Sequence, residues 1–82
     1  MFTGIVEAVG SISEIDRGRL TITAPLIVGD LEDGSSISVD GVCLTVTSSS
    51  ECSFSVDVVP ETFRRTKLNS LQIGEAVNLE RA

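Results

Sequence analysis

Histidine is missing altogether from this sequence. With it go the usual general base near neutral pH, the usual partner of a nucleophilic serine and the commonest metal ligand. Tryptophan and tyrosine are absent too, and only three phenylalanines occur, so the core of any domain must be aliphatic. Positive charge is scarce: six Lys and Arg stand against twelve Asp and Glu, a net charge of -6. No basic stripe exists to meet nucleic acid or an anionic membrane, and both are excluded as expected partners. A neutral small molecule is not disfavoured. No apolar run approaches the ~20 residues of a spanning helix, and the opening MFTGIV lacks the charged start and long apolar core of a signal peptide. A cytoplasmic setting is expected, in which Cys43 and Cys52 are free thiols rather than a disulfide. Their spacing supports neither a zinc pair nor a redox CxxC. Glycine-rich phosphate loops of the common patterns are lacking, and no carboxylate pair stands out for acid–base work. Glu7, Glu14 and Asp16 read as solvated strand and turn residues.

What is present is period-two patterning. An 82-residue chain suits one domain, here residues 1–82, and a domain of this size buries only ~60% of the surface its unfolded chain exposes. The strongest local signal is ISVDGVCLTV, residues 37–46. Asp40-Gly41 flanked by alternating apolar residues predicts a two-residue hairpin, because both central positions of that turn favour positive φ. Ile37, Val39, Val42, Leu44 and Val46 share one face. Ser36, Ser38, Cys43, Thr45 and Thr47 share the other. Residues 5–15 read as one or two strands with a bulge at Gly10, where the apolar phase slips. A turn at Arg17-Gly18 leads to a strand over 20–23, ended by Ala24-Pro25. Residues 26–34 read as a loop with a helical turn, and 48–51 as a second loop. Cys52, Phe54, Val56 and Val58 then alternate with Ser53, Ser55 and Asp57 as a strand. Pro60 opens a short helix over 60–66, where its missing N–H is no loss. Gly74 precedes a last strand over 76–80.

About six short strands and one short helix predict a small closed or nearly closed antiparallel β-barrel, closure being the way a small sheet removes its edges. The non-core positions of four strands are mainly Ser and Thr. One reading is a smooth wall that a flat ligand or another barrel can approach closely. The other is that these residues simply suit exposed strands. In VPETFRRTKL, Glu61 and Thr62 fall near a helix N-terminus, where backbone N–H groups are open; equally, an acidic residue there complements the helix dipole. Cys43 can be read as no more than a small apolar residue. Composition and spacing give a barrel and no reaction.

Four segments, in order and spacing, carry a resemblance: MFTGIVE at the N-terminus, GVCLTV at 41–46, ETFRRTKL at 61–68 and GEAVNLERA at 74–82. Together they resemble the N-terminal lumazine-binding barrel of riboflavin synthase, which implies an all-β, six-stranded antiparallel Greek-key barrel. The resemblance implies an enzyme family that converts two molecules of 6,7-dimethyl-8-ribityllumazine into riboflavin and a ribitylamino-pyrimidinedione. No metal and no added cofactor are required, and the ligand is that lumazine or riboflavin. One lumazine loses a proton from its 7-methyl group and attacks the second, a step that needs no strong protein base. The family's full chains carry two barrels and assemble as a homotrimer, with active sites between barrels of different chains. This chain is expected to be a single excised barrel, weak or inactive alone, that forms a homodimer. A stand-alone flavin or lumazine carrier resembling lumazine protein is the alternative. Carried over residue by residue, the family's ligand contacts fall on Gly4, Ile5, Val6, Cys43, Leu44 and Thr45, and on Asp57, Val58, Val59, Pro60, Glu61 and Thr62. Phe2, Cys43 and Thr45 are the positions expected nearest the reacting rings.

Overall fold

A computed structural model describes every residue except Met1, Thr3, Arg17, Leu26, Val28 and Asp30. Its elements are β1 (Ala8–Asp16), β2 (Arg19–Thr23), β3 (Ser36–Val39), β4 (Val42–Ser49), β5 (Ser53–Asp57), α1 (Pro60–Arg65), a 3-10 turn (Lys67–Ser70) and β6 (Ala76–Arg81). All strand pairs are antiparallel, and they close into a cylinder in the order β1-β2-β5-β4-β3-β6. The six-stranded antiparallel barrel with one short helix expected from the patterning is therefore what forms. Among the described residues, no helix is long and apolar enough to cross a membrane.

The hairpin at the centre follows its turn chemistry. Asp40 and Gly41 have φ of 50° and 87°, and Val39 faces Val42 across the turn. This is the twist that a two-residue connection must have between right-twisted strands. The faces separate as the alternation predicts: Ile37, Val39, Leu44 and Val46 are buried, while Cys43 and Thr45 are exposed. From the neighbouring strands Ile12, Leu20, Ile22, Phe54, Val56, Val77 and Leu79 fill the cylinder. Leu68 of the 3-10 turn joins the same core, with Ile27 and Leu31 from the segment after β2.

Several expected boundaries move. Strand β1 begins at Ala8, so residues 5–7 lie outside it. The ladder irregularity falls between Ile12 and Glu14, not at Gly10. Gly10 answers a different constraint. It is buried inside the barrel, and a Cβ there would sit 2.7 Å from Ile22 Cγ2, 2.9 Å from Leu79 Cδ1 and 3.0 Å from the Thr23 carbonyl. The apolar phase slips because the wall needs no side chain at that point. Strand β5 begins at Ser53, and Cys52 is exposed in the preceding loop rather than inward-facing. The helix ends at Arg65, and a 3-10 turn that periodicity did not show follows it, its start capped by the Thr66 hydroxyl accepting Leu68 N–H. The turn expected at Arg17-Gly18 and the loop over 26–34 fall partly outside the described residues.

The Ser and Thr wall has a structural use over part of its area. Ser13 Oγ donates to the Thr21 carbonyl at 3.1 Å, Thr21 Oγ1 and Ser55 Oγ meet at 3.0 Å, and Thr47 Oγ1 donates to the Ser55 carbonyl at 3.2 Å. These hydroxyls lace β1, β2, β5 and β4 from outside.

Glu7 joins the first and last parts of the chain. Its carboxylate accepts from the Arg81 backbone N–H at 2.6 Å and from the Arg81 guanidinium at 3.1 Å through each oxygen. The hydrogen bonds from the Arg81 side chain, then that from its backbone, hold the Glu7 carboxyl below the ordinary carboxylate value of 4.5. A group depressed in the folded state stabilises the fold above its unfolded value, and that contribution disappears as pH falls through the folded one.

Two outcomes follow from this packing. Gly10→Ala should destabilise the barrel by ~1–3 kcal/mol through overpacking against a backbone carbonyl that cannot move, read as a melting temperature lower by several degrees. In urea unfolding between neutral pH and pH 3, the parent should lose stability more steeply than Glu7→Gln once pH drops below about 4.5. Parallel profiles would show that the Glu7–Arg81 contact is not linked to folding.

Candidate functional site

The site is assembled where one ladder stops. Strands β4 and β5 pair from Ser49↔Phe54 to Thr45↔Asp57 and no further. Pro60 cannot donate a ladder bond and starts a helix instead. Val59, the residue that would face Cys43, gives its carbonyl to Phe63 N–H at 3.0 Å. In an antiparallel ladder successive residues bond alternately to the two neighbours. Val46 bonds toward the β3 side, through Val46 N–H to the Ser35 carbonyl at 2.8 Å, so Cys43 and Thr45 bond toward β5. Thr45 meets Asp57. Cys43 lies past the last pair, and its N–H and C=O face a stretch of wall that no strand covers among the described residues.

Around this gap the expected site residues take definite places. Thr45 and Asp57 are direct cross-strand partners, as are Ser38 and Cys43. Leu44 and Val58 are buried, so their side chains are withheld from a ligand, and Val58 N–H is taken by the Gly18 carbonyl. Val59 is 61% exposed, and Pro60 is exposed beside it. Asp57 Oδ1 is held by Arg19 Nε at 3.3 Å. Glu61 is gripped by Arg65 at 2.7 Å and Arg64 at 3.4 Å on its own helix. Both carboxylates are thus charge-balanced at the surface, where such pairs contribute ~0–1 kcal/mol and exchange partners readily. Thr62 is half-buried, and its carbonyl accepts from Thr66 Oγ1 at 2.8 Å.

Two concavities flank the gap. One, about 570 Å³, is lined by Phe2, Gly4, Val6, Ser38, Gly41 and Glu80 among others. The other, about 450 Å³, is lined by Asp16, Gly18, Arg19, Asp57, Val58 and Val59. The expected residues therefore divide: Phe2, Gly4 and Val6 lie in the first, Asp57, Val58 and Val59 in the second, with Cys43 and Thr45 on the wall between their linings. Ile5 lines neither and is 69% exposed. Among the described residues no group of three or more His, Cys, Asp or Glu could hold a metal ion.

Residues 3–82 match the family model described as the lumazine binding domain. The chain belongs to the lumazine-binding domain family. Riboflavin synthase of Bacillus amyloliquefaciens is 51% identical over 86 residues, covering all of this chain and 40% of that protein. The crystal structure of LumP complexed with 6,7-dimethyl-8-(1'-D-ribityl) lumazine superposes with a TM-score of 0.90 at 33% identity, over all of this chain and 49% of that one. LumP complexed with riboflavin gives 0.89 at 34% identity, over 99% of this chain and 46% of that one. The chain spans about two-fifths of the length of the riboflavin synthases it matches.

Three features of this lumazine-binding domain escaped the sequence reading. Asp40 does more than turn the chain: its carboxylate accepts Asn78 N–H at 2.7 Å and meets Lys67 Nζ at 3.5 Å, tying the hairpin to β6 and to the 3-10 turn. Arg19 reaches Asp57 only through the β2–β5 pairing. Glu80 is buried on the outward side of β6. Long-range pairing creates all three, and no local pattern signals them.

Cys43 and Cys52 are both exposed and free. A thiol reagent should titrate two cysteines in the native protein without denaturant. A count below two would mean that one of them is covered or oxidised.

Proposed function

We propose that this chain is the lumazine-binding barrel of a riboflavin synthase. In the complete enzyme two 6,7-dimethyl-8-ribityllumazines would be held together and dismutated to riboflavin and a ribitylamino-pyrimidinedione. The observation that carries the reading is the uncovered wall at Cys43, beside Thr45 and Asp57. It offers a backbone donor and acceptor, a hydroxyl and a carboxylate in sequence, flanked by small side chains. A ring with an amide-like edge can take the Cys43 groups, and the neutral ribityl chain can run toward Thr45 and Asp57. The acidic balance of the protein disfavours an anion and leaves such a ligand unpenalised.

The reaction joins two copies of one molecule, so its main demand is alignment, which can supply ~7–11 kcal/mol of barrier reduction. The 7-methyl proton is acidic because the ring spreads the resulting charge, which is compatible with a sequence that has no histidine. One barrel offers one cradle. Two chains related by a two-fold axis present the same surface to each other, and the exposed Ile5, Val6 and Val59 supply apolar area for such contact. We therefore read the isolated barrel as a homodimer of low or no turnover, and a two-barrel parent as a cytoplasmic homotrimer. No added cofactor enters this scheme. The spatial order β6-β3-β4-β5 supports a Greek-key description, in which a fourth strand returns beside the first of three. A stand-alone carrier like LumP has less support, at 33% identity against 51% for the synthase.

Titration with riboflavin, followed by quenching of its fluorescence, should saturate at micromolar protein. Thr45→Phe should weaken binding at least tenfold with an unchanged circular dichroism spectrum, since Thr45 is exposed and its replacement disturbs no core. Bound riboflavin should also slow alkylation of Cys43 but not of Cys52. Saturable binding that Thr45→Phe leaves intact, with no protection of Cys43, would place the ligand elsewhere.

A further inference from the structure

The N-terminal segment runs along the barrel wall without being a strand of it. The β1–β6 ladder ends at Ala8↔Leu79, and one further backbone bond joins Glu7 N–H to the Leu79 carbonyl at 2.8 Å. Beyond that point two side-chain carboxylates also join the segments. Glu80 Oε1, on β6, accepts the Gly4 N–H at 3.0 Å. In the opposite sense Glu7 Oε1 accepts the Arg81 N–H. Two carboxylates, one from each segment, tie residues 4–7 to β6 past the Ala8↔Leu79 pair.

The Glu7 tie is at the surface and brings its own guanidinium. The Glu80 tie is different. By alternation Glu80 faces outward with Ala76 and Asn78, both exposed, yet Glu80 itself is only 8% exposed. Burying a carboxylate is unfavourable unless hydrogen bonds satisfy it, so an outward strand position would ordinarily keep it in water. The segment borders a concavity of about 570 Å³ that Phe2, Gly4, Val6 and Glu80 line together, and the carboxylate is placed between that segment and β6. Gly4 matches that placement. Its φ of 86° turns the amide toward β6, and a Cβ there would have nothing within 4 Å. Glycine is needed for the backbone angle, not for space.

We propose that Glu80 is a positioning residue whose carboxylate, through the Gly4 amide, fixes residues 4–6 where they meet the ligand. The inference rests on the reading under Proposed function that those residues are ligand contacts. It adds a residue outside the contact set that decides whether the segment is in place. A charge-assisted hydrogen bond to a backbone amide is among the stronger single contacts a small domain makes, and it is directional, which suits a segment outside the strand ladder with Gly4, Ile5 and Val6 exposed.

The test compares the parent chain with Glu80→Ala and Glu80→Gln by riboflavin titration, hydrogen exchange at the Gly4 amide and thermal unfolding. Glu80→Ala should bind riboflavin about tenfold more weakly and exchange Gly4 faster, while the Thr45 and Leu79 amides keep their protection. Glu80→Gln retains an acceptor oxygen and should stay within about threefold of the parent. Should Glu80→Ala not fold, Glu80→Thr keeps strand propensity while falling short of Gly4, and takes its place. Parental affinity in the shortened variant overturns the proposal. So does weakened binding with an unchanged Gly4 exchange rate, which would make Glu80 a structural residue only. A parent that shows no saturable binding removes the reading of the site itself, and with it the positioning role, whatever the variants do.

Discussion

The structure depends on closing six short strands into a cylinder narrow enough for aliphatic side chains to fill. β6 is the closing piece, lying between β1 and β3 and sending Val77 and Leu79 inward. It fits because Gly10 leaves the room that Leu79 and Ile22 occupy. With no tryptophan or tyrosine and only Phe54 among the fully buried aromatics, a wider barrel would contain voids, each of which forfeits contacts that a domain of this size cannot spare. Closure also disposes of sheet edges. Among the described residues the pairing still fails where β5 gives way to α1, which leaves Cys43 of β4 facing no strand.

That failure is where the proposed site lies. Elsewhere on the outer wall, hydroxyls of Ser13, Thr21, Thr47 and Ser55 are spent on one another and on neighbouring carbonyls. At Cys43 and Thr45 the small side chains stand beside backbone groups with free capacity. The hydroxyls lace the outer wall over β1, β2, β4 and β5, and the proposed approach of a ligand concerns the start of β4 alone. The charged residues around the gap are arranged in balanced pairs, Asp57 with Arg19 and Glu61 with Arg64 and Arg65. Such pairs can yield an oxygen to a hydroxyl of a neutral ligand without stranding a charge in a dry site.

The sequence showed much of this, and its omissions have a common cause. Asp40-Gly41, the alternation on either side of it and Pro60 are local signals, and each appears in the fold at the expected position. A missing side chain in a strand has the local meaning of a bulge; the actual reason for Gly10 is contact with β2 and β6, which no window along the chain contains. Cys52 continues the phase of Phe54 in sequence, but the strand begins one residue later and leaves it exposed. Within the site, the Thr45–Asp57 adjacency needed only the β4–β5 pairing, but the buried Glu80, the Asp40–Lys67 contact and the Arg19–Asp57 pair depend on closure. The division of the family's contact positions between two concavities was equally invisible, since a motif fixes residue types and not the direction each one faces.

The account's central claim is that a ligand docks on the wall left open beyond the last β4–β5 pair. Amide chemical-shift mapping of the isotopically labelled chain during addition of 6,7-dimethyl-8-ribityllumazine measures this most directly. The account predicts that the largest, saturable changes fall on Cys43, Thr45 and the amides from Asp57 to Thr62, with Ser13, Thr21 and Ser55 nearly unmoved. Changes centred on the laced face of β1 and β2, or none at any concentration of ligand, would contradict it.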